Sequence, residues 1–224
     1  MTQRWLAERR NEYYYRKAKK LDYRSRAAFK LLQIDERFRL FEEGDKVLDL
    51  GAAPGGWLQV AVDLVGPEGR VVGIDLKSVK PVEGASSIVG DIRSTESMRE
   101  LRRLLGGKAD IVISDMAPNI SGAYSTDHAR SVELCEYCLA AADSMLREGG
   151  RLIMKVFQGD LMNGLRLDTE RRFDNVKVHS PDASRKTSSE LYIIADGFRG
   201  SDVEEIEDEV EEIKPEFTKK GTFL

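Results

Sequence analysis

Three aspartates, a lysine and a glutamate fall where a strand–helix pattern would present them to a ligand. Asp75 closes the run RVVGID, Asp91 follows SSIVG and Asp115 follows ADIVIS. One aspartate just past a strand reads equally well as a helix cap, and Asp91, ahead of Ile92 and Arg93, is the plainest such case. Three of them after three successive strands suggest carboxylates gathered at the carboxyl ends of a sheet, where open α/β sheets bind their ligands. Lys155 lies inside the apolar IMKVFQG, and Glu190 opens ELYII. Lysine is rarely buried without a partner. The two therefore read either as a structural ion pair or as groups that move a proton, and periodicity leaves both open.

The strongest local motif is LDLGAAPGGW, residues 48–57. Gly51 permits a tight turn after a strand, and Gly55 and Gly56 let the backbone approach a ligand closely. The spacing departs from G-x-G-x-x-G, and Pro54 removes one amide donor, which makes a poorer pyrophosphate cradle. Asp75, 24 residues after Gly51, stands where a carboxylate accepts both hydroxyls of an adenosine ribose. An intact ribose diol and an uncharged, proline-containing loop suit S-adenosylmethionine better than NADP. The competing reading is a glycine turn with a capping aspartate.

From Lys46 onward, short apolar runs (KVLDL, RVVGIDL, SSIVG, ADIVISD, GGRLIMKVF) alternate with helix-like stretches (GGWLQVAVDLV, STESMRELRRLL, TDHARSVELCEYCLAAADSML). FDNVKVH and SELYIIADG add two later strands. Buried strands alternating with amphipathic helices predict a doubly wound, mostly parallel α/β sheet covered on both faces. Upstream, residues 2–37 read as helical and basic, with Ser25 as a candidate cap for a helix through SRAAFKLLQIDERF. Three parts are expected: a basic helical segment over 1–40, an α/β domain over 41–199, and an acidic tail over 200–224.

The chain has 224 residues, 41% hydrophobic and 33% charged, with a formal net charge of −4. That figure averages two opposed ends. Residues 1–30 carry ten bases against three acids, whereas residues 201–214 carry eight acids against one base. One end suits a polyanion and the other repels it. No apolar run is long enough to span a membrane, and no secretory signal precedes the charges. Cys135 and Cys138 form a lone C-x-x-C, which cannot close a tetrahedral zinc site; leucines and alanines around them favour helical core. No metal is expected, and a reducing, cytoplasmic compartment fits best.

The segments SRAAFKLLQID, VLDLGAAPGGW, GDI, SDMAPN, KVFQG and SPDASRKTSSELYIIA together resemble the FtsJ/RrmJ family of ribosomal RNA ribose 2′-O-methyltransferases, over roughly residues 22–198. The resemblance implies a Rossmann-like, seven-stranded methyltransferase fold with an N-terminal helical extension, and S-adenosyl-L-methionine as cofactor. It implies a catalytic tetrad of Lys30, Asp115, Lys155 and Glu190, with Lys155 as proton acceptor. It implies cofactor contacts at Gly55, Trp57, Asp75, Asp91 and Asp115. The substrate implied is a uridine of large-subunit (23S-type) ribosomal RNA, in the peptidyl-transferase A-loop of an assembled subunit. Ribosomal RNA is thus the expected partner, DNA and membranes are not, and a monomer is expected. The tetrad leaves a tRNA anticodon-loop ribose methyltransferase as the nearest alternative. A non-catalytic RNA-binding ribosome-assembly factor and a nicotinamide-dependent oxidoreductase are further ones, disfavoured by the complete tetrad and by Pro54 respectively.

For the RNA itself, bases and tyrosines in residues 4–30 offer phosphate contacts and stacking. A second basic group, Arg166, Arg171, Arg172, Lys177, Arg185 and Lys186, is expected to flank the crevice from the other side.

Overall fold

The computed structural model describes residues 23–184 and 189–200. The basic residues up to 22, Arg185, Lys186 and the acidic stretch from 201 lie outside the described residues. Seven strands form one sheet: β1 Lys46–Leu50, β2 Arg70–Asp75, β3 Ala85–Val89, β4 Ala109–Ser114, β5 Leu146–Phe157, β6 Phe173–His179 and β7 Glu190–Phe198. Their order is β3-β2-β1-β4-β5-β7-β6. The pairings among β1 to β5 are parallel, and β7 runs antiparallel to both neighbours. The carboxyl ends of β1–β5 and the start of β7 therefore share one edge. The strand order reverses between β1 and β4, and a crevice opens outside such a switch point.

Helices α1 (Ala28–Phe38) and α2 (Gly56–Val65) cover one face; α3 (Thr95–Leu105), α4 (Tyr124–Met145) and α5 (Met162–Arg172) cover the other. The central strands are buried on both sides, which is why they read as continuous apolar runs rather than alternating ones. Successive side chains still divide between the faces. Val47, Ile113, Ile153, Tyr192 and Ile194 pack under α1 and α2, while Leu48, Val112, Met154 and Ile193 pack under α3–α5. By the same alternation, Asp49, Asp115 and Lys155 belong to the α1/α2 face.

The helix that carries Lys30 begins later than Ser25 suggests. Ala27 is its N-cap and makes no side-chain cap bond. Tight turns from Ser25 and Arg26 start the chain instead. The Ser25 hydroxyl lies against Gly56, where an added Cβ would come within 2.5 Å of it, so this serine serves the junction of α1 with α2. Helix α3 obeys its sequence signals: Ser94 accepts the Ser97 amide, and Gly106 closes the helix in the left-handed region. Cys135 and Cys138 are free, buried residues of the α4 core. Burial pushes the Cys138 thiol up to about 12, so it remains protonated core filling. Among the described residues no helix is long and apolar enough to cross a membrane.

Candidate active site

Lys155 and Tyr192 are register partners across β5 and β7, and Glu190 faces Phe157 two positions along. In a strand, alternate residues share a face, so Lys155, Tyr192 and Glu190 point the same way at the crevice edge. Asp115 is the first residue after β4, whose Ser114 pairs with Met154, and it falls beside Lys155. Lys30 descends onto this group from α1. The Lys30 ammonium bonds both Glu190 oxygens at 3.1 and 3.2 Å and lies 3.8 Å from Asp115 Oδ1. The Lys155 Nζ lies 3.0 Å from the same Oδ1 and also donates to the Asp115 carbonyl. Four residues separated by up to 160 positions thus form one cluster. Both lysines are about 5% exposed at the side chain, a burial that ammonium groups accept only beside carboxylates.

The electrostatics follow from that packing. Burial alone would raise the Asp115 carboxyl, but the ammonium groups of Lys155 and Lys30, with the Tyr192 hydroxyl, hold it below the ordinary carboxylate range. Tyr192 donates to Asp115 Oδ1 at 2.7 Å. Burial and the neighbouring Asp115 and Glu190 push that hydroxyl well up, so it stays a donor. Tyr192 escaped the sequence reading although it stands two residues from Glu190 in a strand. Asp49 escaped it too, a polar residue inside the apolar KVLDL. It is fully buried with Oδ2 unpartnered, and burial, then Asp115 and Asp75, raise it well above the usual value. Both effects favour its protonated form.

The glycine loop borders this cluster. Gly51 has φ +81°, and a Cβ there would come within 2.3 Å of Met116 Cγ, so the loops after β1 and β4 meet closely at the switch point. Gly55 has φ +104°, and a Cβ there would crowd Arg24 at 2.8 Å and Val79 at 3.1 Å. Arg24, which the sequence reading counted among the bases offered to RNA phosphates, instead donates to the carbonyls of Pro54, Lys80 and Pro81 and fastens the loop after β1 to the one after β2. The first amides of α2 lack intrahelical partners, as at any helix start. The Trp57 indole is turned away: it is buried, donates to the Ala27 carbonyl at 2.8 Å and packs beside Tyr192. Only its main chain is left to meet a ligand at the helix start. Asp75 accepts the Ala53 amide at 2.9 Å and the Lys77 amide at 2.8 Å, one on each oxygen. A carboxylate has about four lone-pair sites, so two remain for hydroxyls. Backbone bared by two glycines and a carboxylate with free acceptors fit an adenosine-bearing sulfonium.

Asp91 is tied to its neighbour. The Arg93 side chain, then its amide, hydrogen-bonds the carboxylate and lowers it to about 2. In the ligand-free protein the Asp91 carboxyl resonance titrates near that value, and Arg93→Ala moves it back toward the ordinary range; a ¹³C NMR titration unchanged by the mutation would break this assignment.

Two members of the second basic group, Arg171 and Arg172, do not flank the pocket as expected. Helix α5 leaves the crevice edge after β5 and runs to the opposite end of the sheet, carrying Arg171 and Arg172 away. They pair there with Asp168 and Asp143, and Arg166 pairs with Glu170. Lys177 lies over the Phe38 ring.

Fold and pocket define a Rossmann-like methyltransferase, and relatives narrow the class. Residues 23–198 match the model of the FtsJ-like methyltransferase family. Similar proteins are the ribosomal RNA large subunit methyltransferases E of Natronomonas pharaonis (52% identical, covering 84% of this chain and 74% of that one) and Methanocaldococcus jannaschii (45%, covering 94% and 88%). Among solved structures, a Plasmodium falciparum protein described as a ribosomal RNA methyltransferase superposes with a TM-score of 0.74 at 29% identity, covering 80% of this chain and all of that one. Aeropyrum pernix fibrillarin, solved with natively bound S-adenosyl-L-methionine, shares the fold at a TM-score of 0.55 and 23% identity, covering 77% and 75%. The chain belongs to the FtsJ-like methyltransferase family.

Proposed function

We propose that this protein methylates a ribose 2′-hydroxyl of large-subunit ribosomal RNA, with S-adenosyl-L-methionine as donor. The observation that carries this reading is the buried Lys30–Asp115–Lys155–Glu190 cluster beside a glycine loop and Asp75. The relatives are named for large-subunit ribosomal RNA methylation, and a uridine of an assembled subunit is the specific target proposed.

Gly55, the main chain at Trp57, Asp75 and Asp91 would hold the cofactor, and Asp115 would complete its site. When bound, S-adenosyl-L-methionine supplies a methyl group on a positively charged sulfur, open to in-line attack by oxygen. The protein then has two tasks: to align the hydroxyl and to take its proton. Lys155 faces Asp115 as an ammonium at rest, so one of its three protons must first leave to solvent; the neutral amine then has two hydrogens and one lone pair. Both hydrogens of Lys155 find acceptors on Asp115, the carbonyl and Oδ1, which leaves the lone pair for the hydroxyl proton. Lys30, locked to both Glu190 oxygens, keeps a positive charge beside Asp115 and favours the oxygen anion as it develops. Tyr192 fixes the Asp115 carboxylate from the third side.

Incubation with tritiated S-adenosyl-L-methionine and, separately, large subunits, free ribosomal RNA and tRNA tests the reading. Label enters ribosomal RNA, best in the assembled subunit. Label confined to tRNA transfers the function to the anticodon-loop class, and no label in any RNA overturns it.

A further inference from the structure

Two loops rise beyond β4 and β5, residues 116–123 and 158–161. Among the described residues, seven large apolar side chains are exposed, and three of them, Ile120, Tyr124 and Leu161, border these loops. The loops are firmly built. The Asp127 carboxylate accepts the Ser121 amide and hydroxyl at 2.8 and 2.7 Å and the Gly122 amide at 3.1 Å. The buried His128 ring supports the second loop. Its Nδ1 meets the Phe157 carbonyl at 2.9 Å, and its Nε2 accepts the Leu161 amide at 3.0 Å, so the proton belongs on Nδ1. Gly159 packs so tightly on that ring that a Cβ would approach within 2.4 Å.

Tyr124 joins the two loops. Its hydroxyl donates to the Gln158 carbonyl at 2.5 Å, and its ring lies over His128 at a 17° interplanar angle with centroids 6.5 Å apart. Gln158 in turn donates its amide to Ser189, next to Glu190, and stands three residues beyond Lys155. The ring is therefore fixed at the rim of the pocket, yet Tyr124 remains 62% exposed. An aromatic ring already immobilised loses little freedom on stacking, and exposed aromatic faces are the usual platforms for unpaired bases. Arg130 of α4 reaches the Asn119 carbonyl at 3.5 Å, which sets a cation beside the same loop.

We infer that Tyr124 is the stacking platform for an unpaired base adjoining the nucleotide whose ribose enters the pocket, with Arg130 available to a neighbouring phosphate. This rests on the RNA methylation proposed above and adds to it: the target lies in a single-stranded or looped segment, because a base inside a duplex has no free face to offer Tyr124.

The test titrates full-length protein into short single-stranded oligoribonucleotides containing 2-aminopurine, whose emission falls on stacking, and measures steady-state methylation of ribosomal RNA in parallel. Tyr124→Ala abolishes the quenching and raises KM for RNA by roughly 5- to 150-fold, the range for loss of one stacked base, with donor affinity unchanged. Tyr124→Phe lacks the bond to Gln158 but keeps the ring, and stays within about threefold of wild type in quenching and KM. Tyr124→Phe as impaired as Tyr124→Ala reduces the residue to a loop tether and overturns the inference, as does a Tyr124→Ala protein that quenches and methylates like wild type. Wild-type protein that quenches but transfers no methyl to any RNA overturns the function and leaves the stacking site standing.

Discussion

Lys155→Ala loses methyl transfer, with kcat lower by about a thousandfold or more, while affinity for S-adenosyl-L-methionine stays within about twofold. The split follows from position. The Lys155 amine bonds Asp115, and the glycine loop and Asp75 are held by bonds that do not involve it. Removing the amine takes away the proposed proton acceptor, which at rest is one of the two cations facing Asp115, and leaves Tyr192 and Lys30 still on that carboxylate. Calorimetric titration of the donor and single-turnover transfer read the two quantities separately. A Lys155→Ala enzyme with near-wild-type turnover removes the residue from the chemistry, and one that no longer binds donor reassigns it to cofactor support.

Arg151→Leu destabilises the protein by about 3–5 kcal/mol, the usual result of stranding one partner of a buried ion pair. Arg151 and Asp45 are 8% and 6% exposed. The guanidinium bonds Asp45 Oδ1 at 2.9 Å and the Leu40 carbonyl just beyond α1. Burial already raises the Asp45 carboxyl, with the Glu42 amide and Arg151 opposing; without the arginine the carboxylate is left largely uncompensated. For a chain of this length the loss corresponds to a Tm lower by roughly 6–20 °C. Adding Asp45→Leu to Arg151→Leu recovers most of it, because replacing both partners removes the stranded charge. Unchanged melting in the single mutant contradicts this. Because the pair anchors the helix that delivers Lys30, methyl transfer falls along with stability.

The central strands were legible because each is a short apolar run ended by glycine, aspartate or a polar turn, and burial on both faces gives that pattern; the edge strands β3 and β6 are largely exposed and carry it only weakly. Helix α5 was not. It buries only Leu165 and Thr169, too little for a periodic signal, and is held by ion pairs such as Arg172–Asp143 whose partners come from elsewhere in the chain. The direction of α5, which carries Arg171 away from the pocket, depends on sheet topology and is invisible in a list of basic residues. Asp75, Asp115 and Lys155 announced themselves as polar residues at strand ends. Lys30 did not, since a lysine in a basic, amphipathic helix looks like any solvated charge, and only resemblance singled it out. Tyr192 and Asp49 act on neighbours that register brings together, as when β7 sets Tyr192 opposite Lys155, and residue spacing alone does not encode register.

The most direct measurement is the chemical position of the transferred methyl. Ribosomal RNA labelled by the wild-type enzyme, digested to nucleosides and resolved by mass spectrometry, yields a 2′-O-methylated nucleoside, and the same preparation made with Lys155→Ala yields none. Label on a base, or a 2′-O-methyl product undiminished in Lys155→Ala, contradicts a lysine-centred ribose methyltransferase.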